Sequence, residues 1–157
     1  MRHAYIPFPQ QITDGAQEMK LPCEVAVKSV VPAIRALLAK ELTETYKMKQ
    51  TAAANLLGIT QTAVSKYTHH IRGRMLQVDE EMEVTVLIKK TAASLVNGDL
   101  DKTQLVLQIC DACKLVRKKG LMCELCKQAN PTLNVRQCKL CLLSFCDTST
   151  IPTSGKT

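Results

Sequence analysis

The sequence predicts a mainly α-helical protein: a helix-turn-helix DNA-binding bundle followed by a small cysteine-rich metal or cluster module. Three observations carry this expectation. Apolar residues recur at three- and four-residue steps, and long alternating runs are missing. Aromatic residues are only 3% and Trp is absent, so the core is built from Leu, Val, Ile, Ala and Met, which suits packed helices. Finally, residues 50–69 read QTAAANLLGITQTAVSKYTH, two helical stretches around a Gly-Ile turn.

The 157 residues allow one domain, or one domain with a small appendage. Composition divides them into an irregular arm (1–22), a DNA-binding domain with a dimerisation helix (23–98), a cysteine-rich module (99–146) and a polar tail (147–157). Hydrophobic residues make up 46%, which excludes global disorder. A net charge of +7 favours a polyanionic partner such as nucleic acid. No apolar run approaches the ~18 residues of a membrane span, so no membrane partner is expected. The opening MRHAYIPFPQQITDG lacks the apolar stretch of a signal peptide, and the expected location is cytoplasmic. In a reducing compartment, eight cysteines read as metal, cluster or redox ligands rather than a disulfide framework.

Pro7, Pro9, Gly15 and Pro22 mark the arm, which has little periodicity. Val27, Val31, Ile34, Leu38 and Leu42 predict one helix over 24–45, with Pro32 as a potential break or first-turn residue. This helix is scaffold behind the reading helices. Residues 46–49 link it to the next.

In the central stretch Ala54 is small enough for close helix crossing, and Gly58 supplies the positive φ of a helix end. Ile59 buries itself under the turn, Thr60 caps the second helix, and Val64 with Tyr67 faces inward. Gln61, Thr62, Ser65, Lys66 and His69 are left on the open face, and with Thr60 they form the expected DNA-contacting set. Gln50 opens the first helix, where it either contacts a phosphate or is simply solvated. A plain αα-hairpin is the alternative, but an open face this polar and free of acids matches a groove reader.

These residues resemble a known family. Leu21-Pro22-Cys23-Glu24, VPAIRALLAKEL, TAAANLLGITQTAVSKY and Ile71-Arg72-Gly73 look like predicted archaeal transcriptional regulators. Those proteins carry a helix-turn-helix of the Cro and phage-repressor type and a C-terminal cysteine cluster. The resemblance covers residues 21–98. Cys110, Cys113 and Cys123 also match the family's spacing, while Cys126 stands where His is expected and Thr68-His69-His70 replaces a short turn. It implies sequence-specific binding of double-stranded DNA by a homodimer.

Beyond the second helix, Arg72 and Arg74 flank Gly73 and read as phosphate clamps or as ordinary surface charge. Adjacent His69 and His70 point about 100° apart on a helix and do not suit one metal ion. A helix over 79–97 starts with acids suited to its dipole and is apolar beyond one stripe, fitting either a dimer contact or an internal core. Asp101 caps the next helix, which ends in Arg117-Lys118-Lys119-Gly120.

Three C-x-x-C pairs follow within 32 residues: Cys110 and Cys113, Cys123 and Cys126, Cys138 and Cys141. Cys146 and Cys23 are further candidate ligands, and Cys23 just ahead of the scaffold helix would couple sensor to reader. Two such pairs satisfy a closed zinc site. The absence of Gly or Pro within the pairs, and the mid-helix place of Cys110 and Cys113, point instead to an iron–sulfur cluster. Iron–sulfur, zinc and a bare thiol–disulfide switch stay open. The expected function is a DNA-binding regulator sensing redox or metal state. Its alternatives are a regulator with a structural zinc and an iron–sulfur electron carrier. No nucleotide loop or Ser/His/Asp set suggests an enzyme, and scarce aromatics argue against RNA stacking.

Overall fold

The computed structural model describes residues 19–69 and 78–142. Among the described residues all regular structure is helical, as the periodicity predicts. Seven α-helices run α1 (Pro22–Lys28), α2 (Val30–Lys40), α3 (Gln50–Leu57), α4 (Gln61–Thr68), α5 (Met82–Val96), α6 (Lys102–Lys118) and α7 (Cys123–Ala129). Short 3-10 turns cover Val78–Glu80 and Leu140–Leu142. No described helix is long and apolar enough to cross a membrane.

The scaffold helix is not continuous. It breaks at Ser29 rather than at Pro32. Ser29 leaves helical geometry at φ −127°, and its hydroxyl donates to the Val25 carbonyl at 2.7 Å. Pro32 then stands in the first turn of α2, where a backbone N–H has no helical partner to lose. Pro22 is the first residue of α1, so the helical part begins inside the expected arm. At its far end α2 widens into a π turn, Glu41–Thr45, where the Thr43 hydroxyl donates to the Ala39 carbonyl at 2.8 Å. Lys47 then turns the chain with φ 54°. The expected helix over 79–97 likewise starts later, at Met82, because residues 78–80 take a tighter turn and Glu81 is extended at the cap.

The core is centred on α2. Val30, Ala33, Ile34, Leu38, Ala39 and Leu42 are each 3% exposed or less. Helices α1, α3, α4, α5 and α6 all pack against this segment. Ala33 and Ala39 of α2 and Ala53 and Ala54 of α3 are buried in the same core, and small side chains there let helix backbones approach. The core continues without interruption through Leu105, Ile109, Ala112 and Val116 of α6 to Met122 and Cys126. Asp101 caps α6 reciprocally: its carboxylate accepts from Gln104 N–H at 2.7 Å, and Gln104 Oε1 accepts from Asp101 N–H at 2.8 Å. Lys119 at the other end pairs with Glu81 at 3.1 Å and with Glu83, tying α6 to the start of α5; hydrogen bonding to Glu83 leads in raising its pKa.

Emptying this centre should be costly. Leu38→Ala is expected to destabilise the chain by about 2–5 kcal/mol in urea unfolding. Val27→Ala, at a 64% exposed site, should change stability by no more than about 0.5 kcal/mol. Equal effects would contradict the packing.

Candidate nucleic-acid face and thiol cluster

Two groups of functional side chains lie on this core. The first is α4 with its support. Helix α3 ends at Gly58, whose φ of 63° glycine adopts without Cβ strain. Two backbone bonds close that end: Gly58 N–H to the Asn55 carbonyl at 3.3 Å and Ile59 N–H to the Ala54 carbonyl at 3.0 Å. Ile59 is half-buried beneath them. Thr60 is extended, and its hydroxyl accepts from Ala63 N–H at 3.1 Å, starting α4.

Val64 and Tyr67 are buried, so α4 is fixed in rotation by its packing on α2 and α3. The opposite side carries Gln61, Thr62, Lys66 and His69, all exposed, with Ser65 half-buried and Thr60 exposed at the cap. Gln50 is half-buried at the start of α3. Its Oε1 accepts from Gln61 Nε2 at 2.7 Å, and its own Nε2 donates to Thr68 Oγ1 at 3.5 Å. Gln50 therefore orients Gln61 across the turn, a role that neither sequence reading of Gln50 included. Its only signal was the eleven-residue offset between two glutamines flanking a two-helix turn. Arg72, Arg74 and His70 lie outside the described residues.

The second group is sulfur. Helix α6 ends at Gly120, with φ 72°, and a Cβ built there would lie 3.5 Å from Cys123 Sγ. The turn brings Cys123 and Cys126, one helical turn apart on α7, back toward α6. Burial chiefly, with the thiolates of Cys141 and Cys138, raises the pKa of Cys123. Cys126 is pushed up to about 11, first by burial and then by Cys141, Cys123 and Cys138, against the opposing pull of Arg117. In both cases thiols of the third C-x-x-C pair contribute. Among the described residues, however, no three His, Cys, Asp or Glu side chains already stand at metal-ligand spacing.

Arg117 of α6 lies beside this group. Burial alone would lower its pKa, but a hydrogen bond to Cys141 and the thiolates of Cys141, Cys113 and Cys23 outweigh burial and raise it. Its Nε is buried without a hydrogen-bond partner. Cys23, exposed on α1, thus reaches the same neighbourhood, because α1 packs against α7. The contact is fastened by Asn130, which accepts from Lys20 N–H and donates to the Lys20 carbonyl, both at 2.8 Å. Sequence reading missed Asn130; an Asn-Pro step signals a turn but not its distant partner. Cys110 and Cys113 differ in exposure. Cys110 is exposed, while Cys113 is half-buried on the Arg117 side. Both lie within α6, the mid-helix place that the sequence predicts. Cys146 lies outside the described residues.

No protein-family model matches the chain, and no curated protein or solved structure is similar to it.

Two outcomes follow from this geometry. Gly58→Ala has open space for its methyl group, so it should cost only the left-handed strain, about 1–2 kcal/mol in unfolding. With chelator present, Cys126 should be alkylated at pH 7 well over tenfold more slowly than Cys110, its rate rising as pH approaches 11. Equal rates at pH 7 would contradict the burial of Cys126.

Proposed function

We propose that this chain is a sequence-specific, DNA-binding transcriptional regulator, with α3 and α4 as a helix-turn-helix and α4 as the groove-reading helix. The observation that carries the reading is the division of α4 into a buried side, Val64 and Tyr67, and an exposed side bearing amides, hydroxyls and a lysine but no acid. Gln61 and Thr62, with Ser65, suit base edges, and Lys66 and His69 suit phosphates or base edges. Gln50 holds the Gln61 amide in one orientation, which lowers the entropy lost on contact. Arg72 and Arg74 add phosphate contacts. The net charge of +7 favours the same polyanion. The resemblance to archaeal regulators of the Cro and phage-repressor type agrees with it.

The regulator acts as a homodimer through α5. Its buried side is Val84, Ile88, Ala92 and Leu95, yet Met82 and Val86 are 78% and 60% exposed on another side. A second copy covering these two residues would give the two-fold symmetry of a paired DNA site. The downstream thiols hold a metal centre, iron–sulfur or zinc. Its state reaches α4 through α6, which packs on α2, which packs on α4. Regulation requires different DNA affinities in the two states of the centre.

The test is selection from a randomised duplex library, followed by binding to the enriched site. Gln61→Ala should lose about 1–3 kcal/mol of discrimination at one base position. Lys66→Ala should weaken all sequences similarly and reduce the salt slope by about 1. A library without enrichment, or a double variant that binds like the parent, contradicts the reading.

A further inference from the structure

A cleft of about 140 Å³ lies between the end of α2 and the middle of α5, away from α4 and from the thiols. Two helical stripes line it. Leu37, Lys40, Glu41 and Glu44 stand at i, i+3, i+4 and i+7 along α2 and into the π turn, and Ile88 and Lys89 come from α5. Ile88 is buried and Leu37 half-buried, which makes part of the lining apolar. Lys40, Glu44 and Lys89 are exposed at its rim, with Glu41 half-buried beside them.

The four charges are not spent on one another. Among the described residues none of them forms an ion pair, although Lys40 and Glu44 are four residues apart. Glu41 begins the π turn, whose wider step takes Glu44 out of the register in which an α-helix pairs i with i+4. Single π turns of this kind are frequent at functional sites.

We propose that this cleft binds a free α-amino acid with a short aliphatic side chain, such as leucine. Charge selects the class. A plain anion such as phosphate would meet Glu41 and Glu44, and a plain cation would meet Lys40 and Lys89. A zwitterion answers both signs, its carboxylate toward Lys40 and Lys89 and its ammonium toward Glu41 and Glu44. The negative end of the α2 dipole, at the same π turn, adds to the ammonium side. Size selects the side chain. A cavity of about 150 Å³ takes one benzene ring, and drug-sized ligands need about 300 Å³ or more. An isobutyl group over Leu37 and Ile88 fits that measure, whereas a nucleotide does not. The cleft shares no residue with α4 or with the thiol cluster, so the proposal stands or falls apart from the proposed function.

The experiment titrates the full chain with L-leucine, followed by calorimetry and by two-dimensional amide spectra. Binding should saturate with a Kd of about 1 mM or tighter. Amide shifts should centre on residues 37–45 and 85–89. Isocaproate lacks the ammonium, isoamylamine lacks the carboxylate and glycine lacks the side chain; each should bind at least about tenfold more weakly. Lys89→Met and Glu44→Gln change exposed side chains and should each weaken leucine about tenfold. Lys90→Met, exposed next to the cleft but outside its lining, should bind leucine like the parent. Isocaproate or isoamylamine binding as tightly as leucine would overturn the zwitterion, and glycine doing so would overturn the aliphatic contact. Shifts centred elsewhere, or no saturation, would overturn the site itself.

Discussion

The fold depends on one buried surface, the face that runs along α2 from Val30 and on to Leu42 in the π turn that follows. Ile34, Leu38 and Leu42 are essentially inaccessible to water, and Ala33 and Ala39 between them keep the surface shallow enough for five other helices to approach. Burial of this kind is non-directional, but the alternation of small and large residues is not. It determines where α4 can lie, and thereby which of its side chains are left outside. The polar side of α4 is thus a consequence of what α2 covers, more than of anything intrinsic to an eight-residue helix, which would be marginal alone.

The same surface also seats α6, the helix that borders the thiols. Helix α6 packs on α2 and α5, and its last turns hold Arg117 against Cys141. From the other direction, α1 carries Cys23 to α7, and Asn130 clamps the backbone just ahead of α1. Residues separated by more than a hundred positions therefore share one neighbourhood. Helices α6 and α4 thus pack on the same helix, α2.

Much of this was legible in the sequence where the signal is local. Gly58 as a helix end, Thr60 as a cap, Asp101 as a cap, and Val64 with Tyr67 facing inward all follow from rules spanning a few residues. What escaped reading was either competitive or distant. The scaffold helix broke at Ser29 because a serine hydroxyl can take the carbonyl that the next turn would use, and periodicity does not register that competition. The start of α5 shifted because acids near a helix N-terminus serve equally well in a preceding turn. The grouping of cysteines escaped for another reason. A C-x-x-C spacing places two sulfurs near each other whether or not a third approaches, so Cys110 and Cys113 looked like the other pairs. The bond from Gln61 to Gln50 likewise depends on the angle between two helices, which the residues on either side of Gly58 do not state.

The central claim is that α4 and the thiol-bearing helices belong to one cooperative core built on α2. Native-state amide hydrogen exchange across a denaturant series tests this most directly. The account predicts that the buried amides of α2, α4 and α6 open together, with a common free energy that falls in parallel as denaturant rises. Separate opening of α6 and α7 at much lower free energy, with α2 and α4 still protected, would contradict it.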